Sequence, residues 1–269
     1  MSTDDVNGDG GGPTRAALVN DIAQSELVER IEPEMVVSEV ELTPPSDSGT
    51  KYRIIVTTEM DEYDEPMELA DMLETAPAKQ RKIGDTFQGT SRRAVKLSIP
   101  HALVEEFVDL LDLIDSLPSS EQMVKHTPPV TKDKDSKRVF EEQRNVRLRV
   151  WLYAASREDD NDFHLILGRA PGITPEVFMT MELSGLPRSD SKAFPKLKAA
   201  RDSYKRFFGN KMPGGSYHHY VPPIPVEIEG ALFFDITHAF GSTPGPKKLR
   251  DRMPTIWEVH PISEIVFEP

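Results

Sequence analysis

The sequence predicts an α+β protein, in which a small α+β N-terminal unit is followed by a five-stranded β-barrel domain with a helix between its third and fourth strands. Two observations lead to this prediction. Short strands mix with helical patterns over residues 35–117, whereas five short strands and one long helix follow within residues 145–269. A polar segment with a double proline, residues 119–144, separates the two regions.

Composition indicates a globular chain without thiol chemistry. The 269 residues are 38% hydrophobic, include no cysteine and carry a formal net charge of −13. The missing cysteines exclude disulfides, thiolate nucleophiles and cysteine-based zinc or iron–sulfur sites. The first residues are acidic and glycine-rich, without the basic start and apolar stretch of a secretion signal, and no apolar run has membrane-spanning length. We therefore expect a cytoplasmic protein, for which oligomerisation stays open.

The front of the chain is predicted to contain a polar tail, a helix and a hairpin. Residues 1–12 are expected to be disordered because they are polar and glycine-dense. Pro13 begins an amphipathic helix that ends before Pro33, since apolar residues recur at helical spacing between them. Residues 35–42 and 51–58 are rich in β-formers and flank the loop PPSDSG, which predicts a β-hairpin.

The rest of the front half is predicted to contain two helices and a strand. A short helix begins at Pro66, and residues 92–99 have the composition of a strand. Residues 100–117 show the most regular helical pattern of the chain, with prolines at both limits. Residues 13–118 are accordingly predicted to form the small α+β domain, and residues 119–144 the linker.

The C-terminal domain is predicted over residues 145–269. Apolar and polar residues alternate at the start of its first strand and in its last strand, and turn-forming residues separate the strands. Within the last strand Pro261 cannot donate a ladder hydrogen bond, so we expect an edge or a bulge there. The predicted elements are strands at 146–155, 163–168 and 176–183, a helix at 191–208, and strands at 225–235 and 255–267.

The order of three strands, a helix and two strands resembles the OB-fold. Three phrases add to the resemblance: DNDFHLIL at the second strand, IEGALFFDITH at the end of the fourth, and WEVHPI in the last. They are similar to phrases in a group of bacterial domains of uncharacterised function. The resemblance covers residues 145–269 and leaves the front half unrecognised. It implies an OB-like barrel and brings no activity with it.

Strong catalytic signatures are missing from the sequence. It contains no phosphate-loop pattern, no Rossmann glycine fingerprint, no GxSxG elbow and no His-Glu-x-x-His motif. Enzymes that hydrolyse nucleotides or bind dinucleotides therefore become poor candidates, and a binding protein is favoured over an enzyme.

Histidine and carboxylate residues near the ends of the predicted strands form a candidate metal site. In a protein without cysteine, imidazole and carboxylate groups are the ligands that zinc or manganese would use. Glu258 and His260 are two residues apart and share a strand face, while Asp235 and His238 lie at the end of the preceding strand. The candidate ligands are His164, Asp235, His238 and His260. The alternative is a polar network without metal, in which the histidines bond neighbouring carboxylates or backbone groups.

Basic residues are concentrated in the helix at 191–208 and in the loop at 236–254. Aromatic residues alternate with the cations of the helix, and such a combination can hold single-stranded nucleic acid. The alternative is that the aromatics fill the open end of the barrel while the lysines are solvated. The candidate nucleic-acid contacts are Lys196, Lys198, Arg201, Lys205, Arg206, Lys247, Lys248, Arg250 and Arg252.

These features favour a non-enzymatic binding module that engages nucleic acid or a protein partner through the barrel face and the basic loops. The second hypothesis is a metal-dependent, nuclease-like hydrolase, in which a divalent ion held by the histidine and aspartate residues activates water. The third is a structural or assembly subunit. A divalent metal is the one cofactor that the sequence suggests.

Overall fold

The structure is a computed structural model that describes residues 31, 35–45, 50–60, 84–240 and 244–268. The predicted polar tail, nearly all of the predicted helix from Pro13 and the short helix from Pro66 lie outside these residues. Within the described ranges, no helix is both long and apolar enough to cross a membrane.

One eight-stranded mixed sheet dominates the fold. Its strands are β1 (Val36–Leu42), β2 (Tyr52–Met60), β3 (Val104–Phe107), β4 (Asn145–Arg157), β5 (Phe163–Gly168), β6 (Phe178–Leu183), β7 (Ser216–Phe234) and β8 (Trp257–Phe267). The described α-helices are α1 (Arg93–Lys96), α2 (Leu110–Asp115), α3 (Ser120–Val124), α4 (Phe194–Phe208) and α5 (Lys247–Arg250). The sheet order is β1-β2-β7-β8-β6-β5-β4-β3, and β7 also pairs with β4. The predicted α+β class is confirmed.

The C-terminal elements follow the predicted order of three strands, a long helix and two strands. β4, β5, β6, β8 and β7 are successive neighbours, and β7 pairs again with β4, so these five strands form a ring. The ring is partial, because β6 and β8 are joined by a single registered pair, Met181 and Val259. Side chains alternate along each strand, and one set, including Leu165, Met181 and Val259, belongs to the main hydrophobic core.

The predicted hairpin is confirmed and extends the same sheet. β1 pairs antiparallel with β2, and β2 pairs with the first part of β7, where Arg53 lies opposite Val221. β7 consequently begins at Ser216, well before the predicted strand at 225–235. Its first residues gain a partner strand from the distant front of the chain, and their proline- and glycine-rich surroundings cannot reveal that partner locally.

Two front-half elements differ from their predictions. Residues 92–99, predicted as a strand, contain the short helix α1. Residues 100–117, predicted as one helix, form strand β3 and then helix α2. β3 pairs parallel with β4, and the Asp109 carboxylate caps α2 by accepting the Leu111 N–H. Tertiary pairing therefore overrides the local helical spacing, and Leu103, which lies within the predicted helix, is 91% exposed.

Two arginines fasten the segment before β4 onto the sheet. Arg92 is buried, and its guanidinium forms a two-pronged ion pair with Glu142 at 2.6 and 2.8 Å. Arg138 donates to the His260 carbonyl at 3.1 Å. Arg138 and Glu142 both belong to the predicted linker at 119–144, which also contains α3. The division into two domains stays a prediction.

Pro261 lies at a bulge, one of the two predicted alternatives, and not at an edge. β8 pairs antiparallel with β7, and the register shifts on both sides of Gly230. β8 also neighbours β6, so it lies inside the sheet. Gly230 permits a close approach, because an added Cβ would lie 2.6 Å from the Pro261 carbonyl oxygen.

The Arg92–Glu142 pair provides a test of how the segment before β4 is held. Glu142→Gln leaves a buried guanidinium without its counter-charge, so we expect the free energy of unfolding to fall by about 3–5 kcal/mol in chemical denaturation. The matched control is Lys125–Glu121, an ion pair whose side chains are 72% and 79% exposed. Glu121→Gln should change stability by less than about 1 kcal/mol. Equal effects of the two substitutions would contradict the assigned role.

Candidate functional site

The sheet face opposite the main core is polar where β5, β6 and β8 adjoin. Side chains alternate along a strand, so residues between the core positions point to the other side of the sheet. Charged side chains are rarely buried without partners, which makes this face a candidate site. Its buried polar residues are His164 on β5, Thr180 and Glu182 on β6, and Glu258 and His260 on β8.

Residues 84–98, called the covering segment below, pack beside this polar face. Thr86 forms a parallel bridge with Leu186, just beyond the end of β6. Gly185 allows the approach, because an added Cβ would lie 2.5 Å from the Phe87 Cα. A glycine is required at this position since the atom it would meet belongs to backbone and cannot turn away. The covering segment therefore contributes to shielding the polar face from solvent.

His260 lies between three carboxylates. Its Nδ1 is 2.8 Å from Glu182 Oε2 and 3.5 Å from Glu258 Oε2. Its Nε2 is 3.3 Å from Oδ2 of Asp162, a residue that directly precedes β5. Burial opposes protonation of His260, but the charge of Glu182 and the contacts with the three carboxylates raise its pKa well above the usual value.

Four buried atoms in this group have no hydrogen-bond partner among the residues that the structure describes: Asp162 Oδ2, Glu182 Oε2 and both ring nitrogens of His260. They are close to one another without being aligned for hydrogen bonding. The Asp162 side chain is fixed, because its Oδ1 accepts the Gly185 N–H at 2.6 Å. Buried polar atoms are normally satisfied, whereas these three residues place potential ligand atoms within 4.8 Å of one another. The arrangement could hold a cation.

A second histidine adjoins the same glutamate. His164 Nδ1 lies 2.8 Å from Glu158 Oε1 and 4.0 Å from Glu182 Oε1. Its Nε2 lies 3.2 Å from Thr180 Oγ1. Glu158, His164 and Glu182 also place one potential ligand atom each within 4.8 Å of the others. Glu182 is therefore shared by two groups of possible metal ligands.

Lys96 brings positive charge from the covering segment. Its Nζ lies 3.5 Å from Asp160 Oδ2 and 4.0 Å from Asp162 Oδ2. Burial, with the negative charge of Asp162, raises the pKa of Asp160 to about 8. Asp160 therefore keeps its proton to a higher pH than an ordinary aspartate does.

The pKa values of Glu182 and Glu258 are shifted in opposite directions. Burial, with the charge of Glu182, raises the pKa of Glu258 to about 8. Burial also acts to raise the pKa of Glu182, but the charges of His260 and Lys96 hold it well below its usual range. Interacting carboxyls separate their titrations in this way. Beside His260, Glu182 therefore loses its proton at a lower pH than Glu258 does.

Of the four predicted metal ligands, the structure brings two together at this position, His164 and His260. Asp235 and His238 form an ion pair of their own between Oδ2 and Nδ1. Burial lowers the pKa of His238, but the bond to Asp235 outweighs burial and, with the charge of Glu258, raises it to about 9. The charges of Glu258 and His164 thus reach His238.

Residues outside the predicted ligand set complete the group. Glu182 stands in the run FMTMEL, where every residue is buried, and a charge inside an apolar strand is a usable signal of a site. Asp160 and Asp162 lie in a turn that has the composition of a solvent-exposed loop, and Lys96 lies in a segment predicted as a strand. Below, the polar cluster means Lys96, Glu158, Asp160, Asp162, His164, Glu182, Glu258 and His260.

The predicted nucleic-acid contacts lie in different environments. Arg201 is buried, and its guanidinium donates to the Leu183, Ser184 and Asn161 carbonyls. Arg250 donates to a backbone carbonyl, whereas Arg206 and Lys247 are exposed and Lys248 is half-buried. Four others pair with carboxylates: Lys196 with Glu229, Lys198 with Asp202, Lys205 with Asp85 and Arg252 with Glu176. Burial removes Arg201 from any surface contact, and ion pairing reduces the positive charge that these four present.

Comparisons with known proteins add no identification. The chain matches no protein-family model, no curated protein and no solved structure. Function has to be inferred from the chemistry of the site, because a fold alone does not determine it.

The Asp235–His238 pair predicts a specific pH dependence of stability. The folded-state pKa of His238, about 9, exceeds the usual histidine value of 6.5, so protonated His238 stabilises the folded chain. This contribution is complete below about pH 6.5 and is lost as the pH rises through about 9. We expect His238→Gln to lower the free energy of unfolding more at about pH 6 than at about pH 9.5, as measured by chemical denaturation.

Asp235→Asn checks the cause of this effect. Without the carboxylate, the pKa of the His238 ring should fall, which an NMR titration of the ring protons follows directly. A loss of stability from His238→Gln that is the same at both pH values would show that proton uptake by this pair does not stabilise the fold.

Proposed function

We propose that this chain is a divalent-metal-binding protein whose ion is held by Asp162, Glu182 and His260. The observation that carries the proposal is the convergence of four buried atoms that lack hydrogen-bond partners in the described part of the chain. A metal ion would satisfy three of these atoms, the two carboxylate oxygens and one ring nitrogen of His260. The other ring nitrogen would donate to a carboxylate such as that of Glu258, as metal-bound histidines usually do.

Charge balance supports this proposal. Around His260, three carboxyl groups compete for the positive charge of one imidazole. The pKa of Glu258 is raised to about 8. A proton on Glu258 therefore offsets part of the negative charge when no other cation is bound. A divalent ion would replace such protons, because metal ligands must be deprotonated. Binding of the ion is thus expected to release protons.

The ligand types favour zinc or manganese. The proposed ligands are two carboxylates and one imidazole, and no thiolate exists in this chain. Imidazole suits transition metals, while carboxylate is accepted by zinc and manganese alike. Calcium and magnesium prefer sites made of oxygen ligands alone. Zinc and manganese are therefore the ions with which the proposal should be tested.

Metal binding is better supported than hydrolysis. The side chains of Asp162, Glu182 and His260 are at most 5% exposed. A substrate would have to move the residues that bury them before it could reach an ion at this position. We therefore place a non-enzymatic binding protein ahead of a metal-dependent hydrolase.

We also propose that residues 145–269 form an OB-like barrel. The five strands pair in a ring, and α4 connects the third of them to the fourth, which supports the resemblance. OB-like modules bind ligands over their second and third strands, here β5 and β6. Residues of the polar cluster lie on these strands with the covering segment beside them, so a metal ion fits this face better than a nucleic acid does.

Metal retention tests the proposed function. We expect the full chain, stripped with a chelator and then dialysed with Mn²⁺ or Zn²⁺, to retain the ion in elemental analysis. The ion should also stabilise the fold, by about 2.7 kcal/mol when its free concentration is 100 times the dissociation constant, and this raises the melting temperature. His260→Gln should abolish retention at this position.

His126→Gln is the matched control. His126 also adjoins a carboxylate, with its Nε2 3.0 Å from Glu141 Oε2, but it lies outside the polar cluster. This variant should retain the ion. If the unaltered, folded protein retains neither metal, the proposed function is refuted; equal losses in the two variants would refute the assignment to His260.

A further inference from the structure

We propose that the polar cluster holds two divalent metal ions, with Glu182 as the bridging ligand between them. This inference rests on the proposed function, since the first ion is the one bound by Asp162, Glu182 and His260. The second ion would be bound by Glu158, His164 and the other carboxylate oxygen of Glu182. Each triad brings one potential ligand atom per residue within 4.8 Å of the others.

The two oxygens of Glu182 face different imidazoles. Oε2 lies 2.8 Å from His260 Nδ1, whereas Oε1 lies 4.0 Å from His164 Nδ1. A carboxylate placed in this way can give one oxygen to each of two ions. Metal pairs in proteins are commonly about 3.5–4 Å apart, a separation that a bridging carboxylate can span.

His164 is oriented as a metal ligand would be. Its Nε2 contacts the hydroxyl of Thr180 at 3.2 Å, while its Nδ1 faces Glu158 at 2.8 Å. If Nε2 carries the hydrogen and donates it to Thr180, the Nδ1 lone pair points at the two glutamates. An outer hydrogen bond that fixes the tautomer in this way is typical of metal-bound histidines.

The available charges match two divalent ions. The polar cluster holds five carboxyl groups, those of Glu158, Asp160, Asp162, Glu182 and Glu258, and one lysine, Lys96, whose Nζ lies 3.5 Å from Asp160. With every carboxyl ionised the net charge is −4, which two divalent cations balance while both imidazoles act as neutral ligands. A buried group of charged side chains is tolerated inside a protein when its positive and negative charges balance locally.

The two positions differ in exposure. The Glu158 side chain is 10% exposed, whereas those of Asp162 and His260 are 0% exposed. The second ion therefore lies nearer to solvent and exchanges faster. We expect a metal titration to show two binding steps, with the Glu158 position the weaker one.

Stoichiometry tests the inference in the full, chelator-stripped chain titrated with Mn²⁺. Calorimetry should give two ions per chain, and electron paramagnetic resonance should show the exchange coupling of a bridged manganese pair. Glu158→Gln should leave one ion and no coupling. Thr180→Val, a milder change that keeps every ligand, should weaken the second step by about 10-fold or more, in line with the effect of losing an outer-shell partner.

Glu141→Gln is the matched control, because it removes a glutamate beside a histidine, His126, outside the polar cluster. It should keep two ions and the coupling. One ion in the unaltered protein would overturn the inference and leave the proposed function standing, whereas no ion would overturn both. Two uncoupled ions, or two ions in a folded Glu158→Gln variant, would overturn the bridged arrangement.

Discussion

Burial of ionised carboxylates is costly in free energy unless positive charge or protons accompany them, and this constraint governs the polar cluster. Asp162 and Glu182 are buried beside His260 and Lys96, which supply positive charge. Both counter-charges depend on tertiary structure. Lys96 belongs to the covering segment, and His260 belongs to β8. Arg138 links the covering segment to β8 by donating to backbone carbonyls of α1 and of β8. Displacement of the covering segment would move Lys96 away from the buried carboxylates and so disturb the charge balance of the cluster.

The order of the C-terminal elements along the chain and the front hairpin could be predicted from the sequence, because alternation and turn residues are local signals. The start of β7 and the strand β3 could not, because each exists through pairing with a distant strand. Residues 100–117 illustrate the limit, since their apolar spacing fits a helix while Val104–Phe107 pairs with β4. Pro261 was informative because proline has no backbone N–H and cannot donate a hydrogen bond to a neighbouring strand, wherever the strand lies in the sheet.

The candidate site was partly predictable for a similar reason. Glu258 and His260 are two residues apart on a strand whose alternation is visible in the sequence, so their shared face could be inferred. His164 lies in the run FHLILG, in which every residue is buried. Glu182 carried a signal of its own, as a charge in a fully buried strand. Asp162 and Lys96 carried none, because their burial comes from contacts between segments far apart in the chain. Arg201 shows the converse, since a basic helix does not reveal which of its cations turns inward to bond the chain's own carbonyls.

Anomalous X-ray diffraction from crystals of the full chain grown with Zn²⁺ is the most direct test of a metal ion in the polar cluster. We expect an anomalous peak about 2.0–2.2 Å from Asp162 Oδ2, from a carboxylate oxygen of Glu182 and from a ring nitrogen of His260, at the distances typical of carboxylate and imidazole ligands of zinc. Crystals without a peak at this position, in which His260 instead donates aligned hydrogen bonds to Asp162 and Glu182, would contradict it. The polar cluster would then be balanced by protons and by Lys96 alone.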